Sequence, residues 1–174
     1  MSEILATYET YDGSEYSVVE RPDGPKGALV MRFRLVPNAG SPPPHVHPHT
    51  SEVFEVLEGR FEMLVGSDWR TVSAGESVSV EPGVRHSFRN QSGSEVVIRN
   101  VHAPHHDFEA YIRSVAGLSQ ELRTTAPTGP AAAARFAVLW GRHDDLIRPA
   151  DLPMRIGFPI LRAAARVARL PSPA

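Results

Sequence analysis

Residues 40–59 read GSPPPHVHPHTSEVFEVLEG, and the histidines in this stretch are the first indication of the fold. His45, His47 and His49 occupy alternate positions, and the acid Glu52 follows them. In an extended strand, residues i and i+2 point to the same side, so the imidazoles of His45 and His47 can converge on one cation. Glu52 begins the segment EVFEVLEG, and its carboxylate can enter the same cavity. The stretch therefore predicts half of a metal site built on β-strands.

A second stretch supplies the best candidate for a further ligand. Residues 75–90 read GESVSVEPGVRHSFRN, in which His86 follows a Pro82-Gly83 turn and opens a strand. Imidazoles and a carboxylate, without thiolates, suit Fe(II), Mn(II), Ni(II), Cu(II) or Zn(II). Three histidines and one glutamate fill four positions, which leaves two for other molecules around an octahedral ion. We expect metal affinity to weaken as histidine protonates below about pH 6.

The composition restricts the class of protein. A chain of 174 residues without cysteine has no disulfide, iron–sulfur cluster or thiol nucleophile, and it is compatible with a reducing cytoplasm. The formal net charge of −2 predicts no general attraction to nucleic acid. No uncharged apolar run approaches the ~18 residues of a membrane span, and the N-terminus lacks a secretory pattern. We expect a cytoplasmic protein whose partner is a small molecule.

The sequence pattern changes once along the chain. From about residue 14 to residue 102, short alternating segments are separated by Gly, Pro, Ser and Asn, as is typical of an antiparallel sandwich or barrel. After Pro104, helical spacing predicts about three helices, with a linker at 124–130. The predicted organisation is a β-domain over 1–103 and a helical extension over 104–174. This extension is expected to pack on the β-domain or on a second subunit.

The two histidine stretches resemble the two sequence motifs of the cupin superfamily. The first motif has Gly, HxH, three or four residues, Glu, six residues and Gly; the second has Gly, five residues, Pro-x-Gly, two residues, His, three residues and Asn. The resemblance covers roughly residues 29–101 and implies a mainly β fold, a single jelly-roll barrel with the metal at its centre. It implies His45, His47, Glu52 and His86 as the metal ligands.

One departure from the second motif introduces a charged residue. Glu81 occupies the position of the usual first proline. Its carboxylate is either on the surface or a partner that holds the tautomer of an imidazole. Neither alternative removes a ligand.

For other residues near the predicted site, the sequence leaves two roles possible. His49 is interpreted as a loop residue or an additional ligand. His102, His105 and His106 lie at the junction between strand and helix, where a solvated position or a second metal site are the alternatives. Six apolar residues are expected to fill the barrel, and those nearest its mouth to form a substrate wall: Phe33, Phe54, Val56, Phe61, Met63 and Phe88.

Three functional classes fit these residues. The first is an oxygenase with a redox metal, preferably Fe(II), in which Glu52 could act as the catalytic base, as a resemblance to quercetin-type dioxygenases would suggest. The second is a Lewis-acid isomerase, cyclase or decarboxylase, which needs no redox metal. The third is a non-catalytic barrel that binds a small ligand. We hypothesise an oxygenase of a small, largely apolar enol or phenol.

The helical extension has two further expected roles. Its helices could cap the mouth of the barrel, or they could build a dimer contact, and a homodimer is expected. The last helix carries Arg162, Arg166 and Arg169 on one face, and its role is left open between a membrane surface, a partner protein and the barrel.

Overall fold

The computed structural model describes residues 3–24, 26–40 and 42–167. In this part of the chain the strands are β1 (Ala6–Glu9), β2 (Glu15–Glu20), β3 (Leu29–Leu35), β4 (His45–Val46), β5 (Ser51–Glu58), β6 (Arg60–Val65), β7 (Asp68–Ser73), β8 (Ser77–Val80), β9 (His86–Arg89), β10 (Val96–Ala103) and β11 (Arg148–Pro149). The helices are α1 (Phe108–Leu122), α2 (Pro130–Arg142) and α3 (Leu152–Val167). None of these helices combines the length and apolar character needed to cross a membrane.

The strands form two antiparallel sheets. The six-stranded sheet has the order β1-β2-β3-β10-β5-β8, and the five-stranded sheet has the order β11-β4-β9-β6-β7. Chain neighbours such as β3 and β4 lie in different sheets, which is the connectivity of a jelly roll. The predicted mainly β jelly roll with C-terminal helices is confirmed.

Alternation of side chains explains where the core lies. In β3, Met31, Phe33 and Leu35 are buried while Arg32 and Arg34 are only partly buried, because successive residues of a strand face opposite sides. β10 alternates in the same way along its whole length. The buried faces of both sheets contribute to one continuous apolar cluster.

The turn between β5 and β6 requires glycine. Gly59 has a φ of 77°, in the left-handed region that residues with a Cβ rarely adopt. A Cβ built at this position would lie 2.6 Å from the carbonyl oxygen of Glu95. The tight turn and the close neighbouring backbone therefore account for the glycine of the first motif.

Helix α1 is attached to the jelly roll by packing and by a charged contact. Its buried face includes Phe108, Tyr111 and Ile112, which belong to the same apolar cluster as the strands. The carboxylate of Glu109 accepts hydrogen bonds from Arg21 at 2.7 and 2.8 Å. Arg21 is largely exposed, so this pair contributes little compared with the packing.

The segment between α2 and α3 extends the sheet that contains β4. Arg148 and Pro149 of β11 pair with Val46 and His45. The amide of Ala150 also donates to the carbonyl of Pro44 at 3.0 Å. The helical extension therefore supplies an edge strand beside the first histidine. The division of the chain at residue 103 into a β-domain and a helical extension stays a prediction.

Helix α3 runs through Pro159 and packs by one face only. Phe158 and Ala165 are buried, and Arg162 donates to the carbonyl of Gly141 at 3.2 Å. Leu152, Ile156 and Ile160 are exposed on the other side. Arg169 of the predicted arginine face lies outside the described residues.

Replacing each tryptophan in turn tests how the extension is held. Trp140 is 4% exposed and lies between Phe158 and His45, with ring centroids 5.5 and 6.0 Å away. We expect Trp140→Ala to lower the free energy of unfolding by about 3–5 kcal/mol, because it leaves a large cavity. Urea denaturation followed by circular dichroism measures this change.

The chain's second tryptophan provides the matched control. Trp69 is 40% exposed and stacks against the guanidinium of Arg89. Trp69→Ala should cost less than about 1 kcal/mol. Equal losses for the two variants would contradict the packing role of Trp140.

Candidate metal centre

Two cross-strand pairs, one from each sheet, place four polar side chains in the interior. His45 of β4 pairs with His86 of β9 in the five-stranded sheet, and Glu52 of β5 pairs with His102 of β10 in the six-stranded sheet. His47 is two residues beyond His45 and is buried with it, as the period of a strand predicts. All five side chains are at most 5% exposed.

The donor atoms of these residues gather around the carboxylate of Glu52. Its Oε2 lies 3.1 Å from His86 Nε2 and 3.6 Å from His47 Nε2, and its Oε1 lies 3.2 Å from His102 Nε2. Two sets of three donors have all their atoms within 4.8 Å of one another. The sets are His45 with His47 and His86, and His47 with Glu52 and His102.

Three of the imidazoles are oriented by backbone carbonyls. Because a carbonyl can only accept, each of these rings carries its proton on Nδ1 and keeps the lone pair of Nε2 for another partner. The acceptors are the carbonyls of Pro43 for His45 (2.8 Å), of Leu146 for His47 (2.6 Å) and of Val84 for His86 (2.8 Å).

Buried atoms without hydrogen-bond partners indicate what fits between these side chains. Glu52 Oε2, His86 Nε2 and both ring nitrogens of His102 lack a partner among the described residues. Ligands bonded at about 2.0–2.2 Å to one ion lie about 3 Å apart at right angles. The Glu52–His86 distance of 3.1 Å matches that spacing, so the residues fit a divalent transition metal.

The electrostatics keep three of the imidazoles neutral and the carboxylate ionised. Burial lowers the pKa of His45 well below its usual range, and His86 and His47 lower it further. Burial also lowers the pKa of His47, and it lowers that of His102 to about 3. Burial lowers the pKa of His86 as well, but the contact with Glu52 and the carbonyl of Val84 outweigh it, so the pKa of His86 is raised. Burial alone would raise the pKa of Glu52, but the imidazoles of His102, His86 and His47 outweigh it and keep that pKa far below its usual range. The neutral rings and the ionised carboxylate are the states that bind metal, and a proton on His86 would compete with the ion.

Comparison with known families identifies the jelly roll. A family model described as "Cupin domain" matches residues 31–102, which include all five of these side chains. The jelly-roll part of the chain, residues 31–102, therefore matches the cupin family. The search of curated proteins finds no match to the chain.

Solved structures resemble the same part of the chain. TT1209 from Thermus thermophilus is 26% identical, with a TM-score of 0.50 over 57% of this chain and 90% of that one. KdgF from Halomonas sp. is 14% identical, with a TM-score of 0.54 over 63% and 98%. An RmlC-like cupin from Shewanella frigidimarina NCIMB 400 is 18% identical, with a TM-score of 0.52 over 60% and 87%. At the identities of the last two, the likeness concerns the fold alone.

The structure brings the four sequence-predicted ligands near one another in two overlapping donor sets, one with His45 and His86 and the other with Glu52, and two further residues lie beside Glu52. His45, His47, Glu52 and His86 are the four that the motifs indicate. His102 is fully buried beside Glu52 rather than solvated, which corrects the expected junction position. Asn100, also fully buried, donates to Glu52 Oε1 at 2.8 Å. The one signal for them in the sequence is their position in β10: they alternate with the partly exposed Arg99 and Val101, so their side chains face inward.

The remaining predicted residues are divided between surface and core. Glu81 is exposed, and carbonyls rather than its carboxylate hold the three rings. His49 is exposed, His105 and His106 are partly buried, and all three are outside both donor sets. Phe33 and Phe88 line the cavity at the donors, whereas four others are core residues that do not line it: Phe54, Val56, Phe61 and Met63.

A cavity of about 90 Å³ leads to the donors. Its floor includes His45, His47 and Glu52, and α1 forms one wall. Apolar and aromatic side chains dominate the lining: Tyr16, Phe33, Phe88, Phe108, Tyr111, Ile112, Val115 and Ile147. The lining also includes the polar residues Thr10, Asp12, Ser119 and Thr125.

The lowered pKa values predict a loss of stability in mild acid. Between about pH 3 and 6.5 the unfolded chain binds a proton on His102 that the folded protein excludes, so the free energy of unfolding falls as the pH falls. For metal-free protein kept in chelator we expect a loss of about 2 kcal/mol from His102 at pH 5 relative to neutral pH. Urea titrations at pH 7.5 and 5.0 measure it.

A variant without the imidazole provides the control. His102→Phe keeps a ring against Phe108 and should lose less stability over the same pH interval. A wild-type protein equally stable at both pH values would contradict the buried neutral state of His102.

Proposed function

We propose that this protein is a metal-dependent enzyme that acts on a small, uncharged, largely apolar enol or phenol. The observation that carries the proposal is a set of buried imidazoles and one carboxylate at the closed end of an apolar cavity. A non-catalytic ligand-binding role remains the alternative that the experiments below separate from it.

His45, His47, Glu52 and His86 are the side chains that would hold the ion. A divalent metal bound there would polarise a substrate oxygen and favour its deprotonated form. The carbonyls of Pro43, Val84 and Leu146 fix the rings, so binding costs little reorganisation. Fe(II) is the metal we propose first, with Mn, Ni, Cu or Zn as alternatives.

Glu52 is proposed as the residue that takes the substrate proton. Its low pKa keeps it ionised, and its Oε2 has no hydrogen-bond partner among the described residues. Asn100 holds the other oxygen, so Glu52 would either stay a ligand through Oε2 or swing Oε2 away from the ion to accept the proton. The apolar lining excludes water from the same space.

The lining of the cavity supports the proposed substrate class. No Lys or Arg is among the described residues that line it, so a carboxylate or phosphate group would lack a counter-charge. Aromatic side chains favour a flat apolar group, and the polar residues of the lining can bind one hydroxyl. A small enol or phenol fits these features.

Two reaction classes fit this substrate. An oxygenase needs room for the substrate oxygen and O₂ side by side, which four side-chain ligands leave around an octahedral ion. A Lewis-acid isomerase, cyclase or decarboxylase needs only one free position. The close approach of His102 to Glu52 favours the second class, since a fifth donor would occupy space at the ion.

Metal content and oxygen uptake test the proposal directly. We expect purified protein to hold about one transition-metal ion per chain, and His45→Ala combined with His86→Ala to lose it, because two of four ligands are removed. His49→Ala is the control that should retain the metal. Elemental analysis gives the metal, and an oxygen electrode with small phenols and enols separates an oxygenase from a Lewis-acid enzyme. Full metal content in the double variant would contradict the ligand assignment.

A bulky side chain in α1 should block the cavity without touching the ligands. Val115 lines the cavity, and Val115→Trp is expected to raise KM for a small phenol or enol at least about tenfold while metal content stays unchanged. Arg113→Trp, on the exposed side of α1, is the matched control and should leave KM unchanged. Equal kinetics for the two variants would place the substrate elsewhere.

The homodimer and the cytoplasmic location stay predictions. The exposed stripe of Leu152, Ile156 and Ile160 on α3 is the surface that we propose for a dimer contact.

A further inference from the structure

His102 differs from the other imidazoles at the site. It is fully buried, and neither ring nitrogen has a hydrogen-bond partner among the described residues. Its ring stacks on Phe108, with centroids 3.4 Å apart and planes inclined by 21°. The stack fixes the plane of the ring, so Nε2 is held 3.2 Å from Glu52 Oε1.

This contact does not have the geometry of a hydrogen bond. Glu52 Oε1 accepts from Asn100 at 2.8 Å, and His102 Nε2 remains unpaired despite its distance from that oxygen. Burying a polar atom without a partner costs about 1–3 kcal/mol. An imidazole with two such atoms is therefore expensive unless something else binds it.

The donors of His102, His47 and Glu52 lie within 4.8 Å of one another. Opposite ligands of one ion with bonds of about 2.0–2.2 Å are about 4 Å apart, so only small movements would bring all three to it. We propose that His102 is a fifth protein ligand of the metal ion, beside His45, His47, Glu52 and His86. This inference rests on the proposed metal-dependent function.

The fifth ligand selects between the two reaction classes. A six-coordinate ion with five protein ligands keeps one position for another molecule. That position would suit a substrate oxygen, and it would leave no room for O₂ beside it. The ligand set consequently favours isomerisation, cyclisation or decarboxylation of the enol or phenol over oxygenation.

Proton NMR of the cobalt-loaded protein counts the histidine ligands. A paramagnetic Co(II) ion shifts the ring N–H signal of each ligand imidazole far from the other signals, and these signals exchange with deuterium. We expect four such signals in the wild type and three in His102→Phe, which keeps a ring against Phe108. His45→Phe is the matched control and should lose a different one of the four.

Each outcome decides between the proposals. Three signals in the wild type, all kept in His102→Phe, would overturn the fifth ligand while leaving the metal-dependent function intact. A wild type that binds no Co(II), Zn(II) or Fe(II) would overturn the proposed function, and the fifth ligand with it. If His102→Phe does not fold, the wild-type count of four or three still decides.

Discussion

The carboxylate of Glu52, buried among imidazoles, is the constraint on which the site depends. Removing an ionised carboxylate from water costs several kcal/mol unless opposite charge or hydrogen bonds compensate. Here the compensation comes from both sheets: Asn100 on β10 donates to one oxygen at 2.8 Å, and His86 on β9, whose pKa is raised, lies 3.1 Å from the other. The two sheets must pack face to face for these groups to meet. The fold is therefore needed to stabilise the buried charge of Glu52.

The same arrangement explains why the helical extension is part of the metal centre. The carbonyl of Leu146, in the segment between α2 and α3, accepts the Nδ1–H of His47. β11 then pairs with β4 at His45, so two of the predicted ligands depend on residues about a hundred positions later. Because an outer partner of a ligand affects metal affinity by about 10- to 100-fold, this segment couples the stability of the extension to the site.

Short-range patterns in the sequence predict an antiparallel β-domain and the candidate ligands, and the resemblance to the cupin motifs adds the jelly roll. Alternation over residues such as 29–35 specifies which side of a strand is buried, and HxH places two imidazoles on one side. The sequence could not place His102 and Asn100 at the site in this way. They come next to Glu52 because β10 pairs with β5, and short-range patterns do not show which strands pair. The sequence also could not show which apolar residues form the substrate wall. Phe54 and Phe88 both face the interior, yet only Phe88 lines the cavity. The position of a residue along its strand decides this, and alternation gives only the side that it faces.

The balance of forces at the closed end of the cavity favours a bound ion over the alternatives. A water at Glu52 Oε2 would find further partners in the nitrogens of His86 and His47, so it is one competitor of the ion. A proton is another: burial lowers the pKa of His102, but the contact with Glu52 raises that of His86, so a protonated His86 could pair with the carboxylate. A divalent cation differs from both competitors, because it binds the lone pairs and also neutralises the carboxylate. The rings anchored by Pro43 and Val84 are already in the tautomer that such an ion requires, so the protein holds this arrangement before any metal arrives.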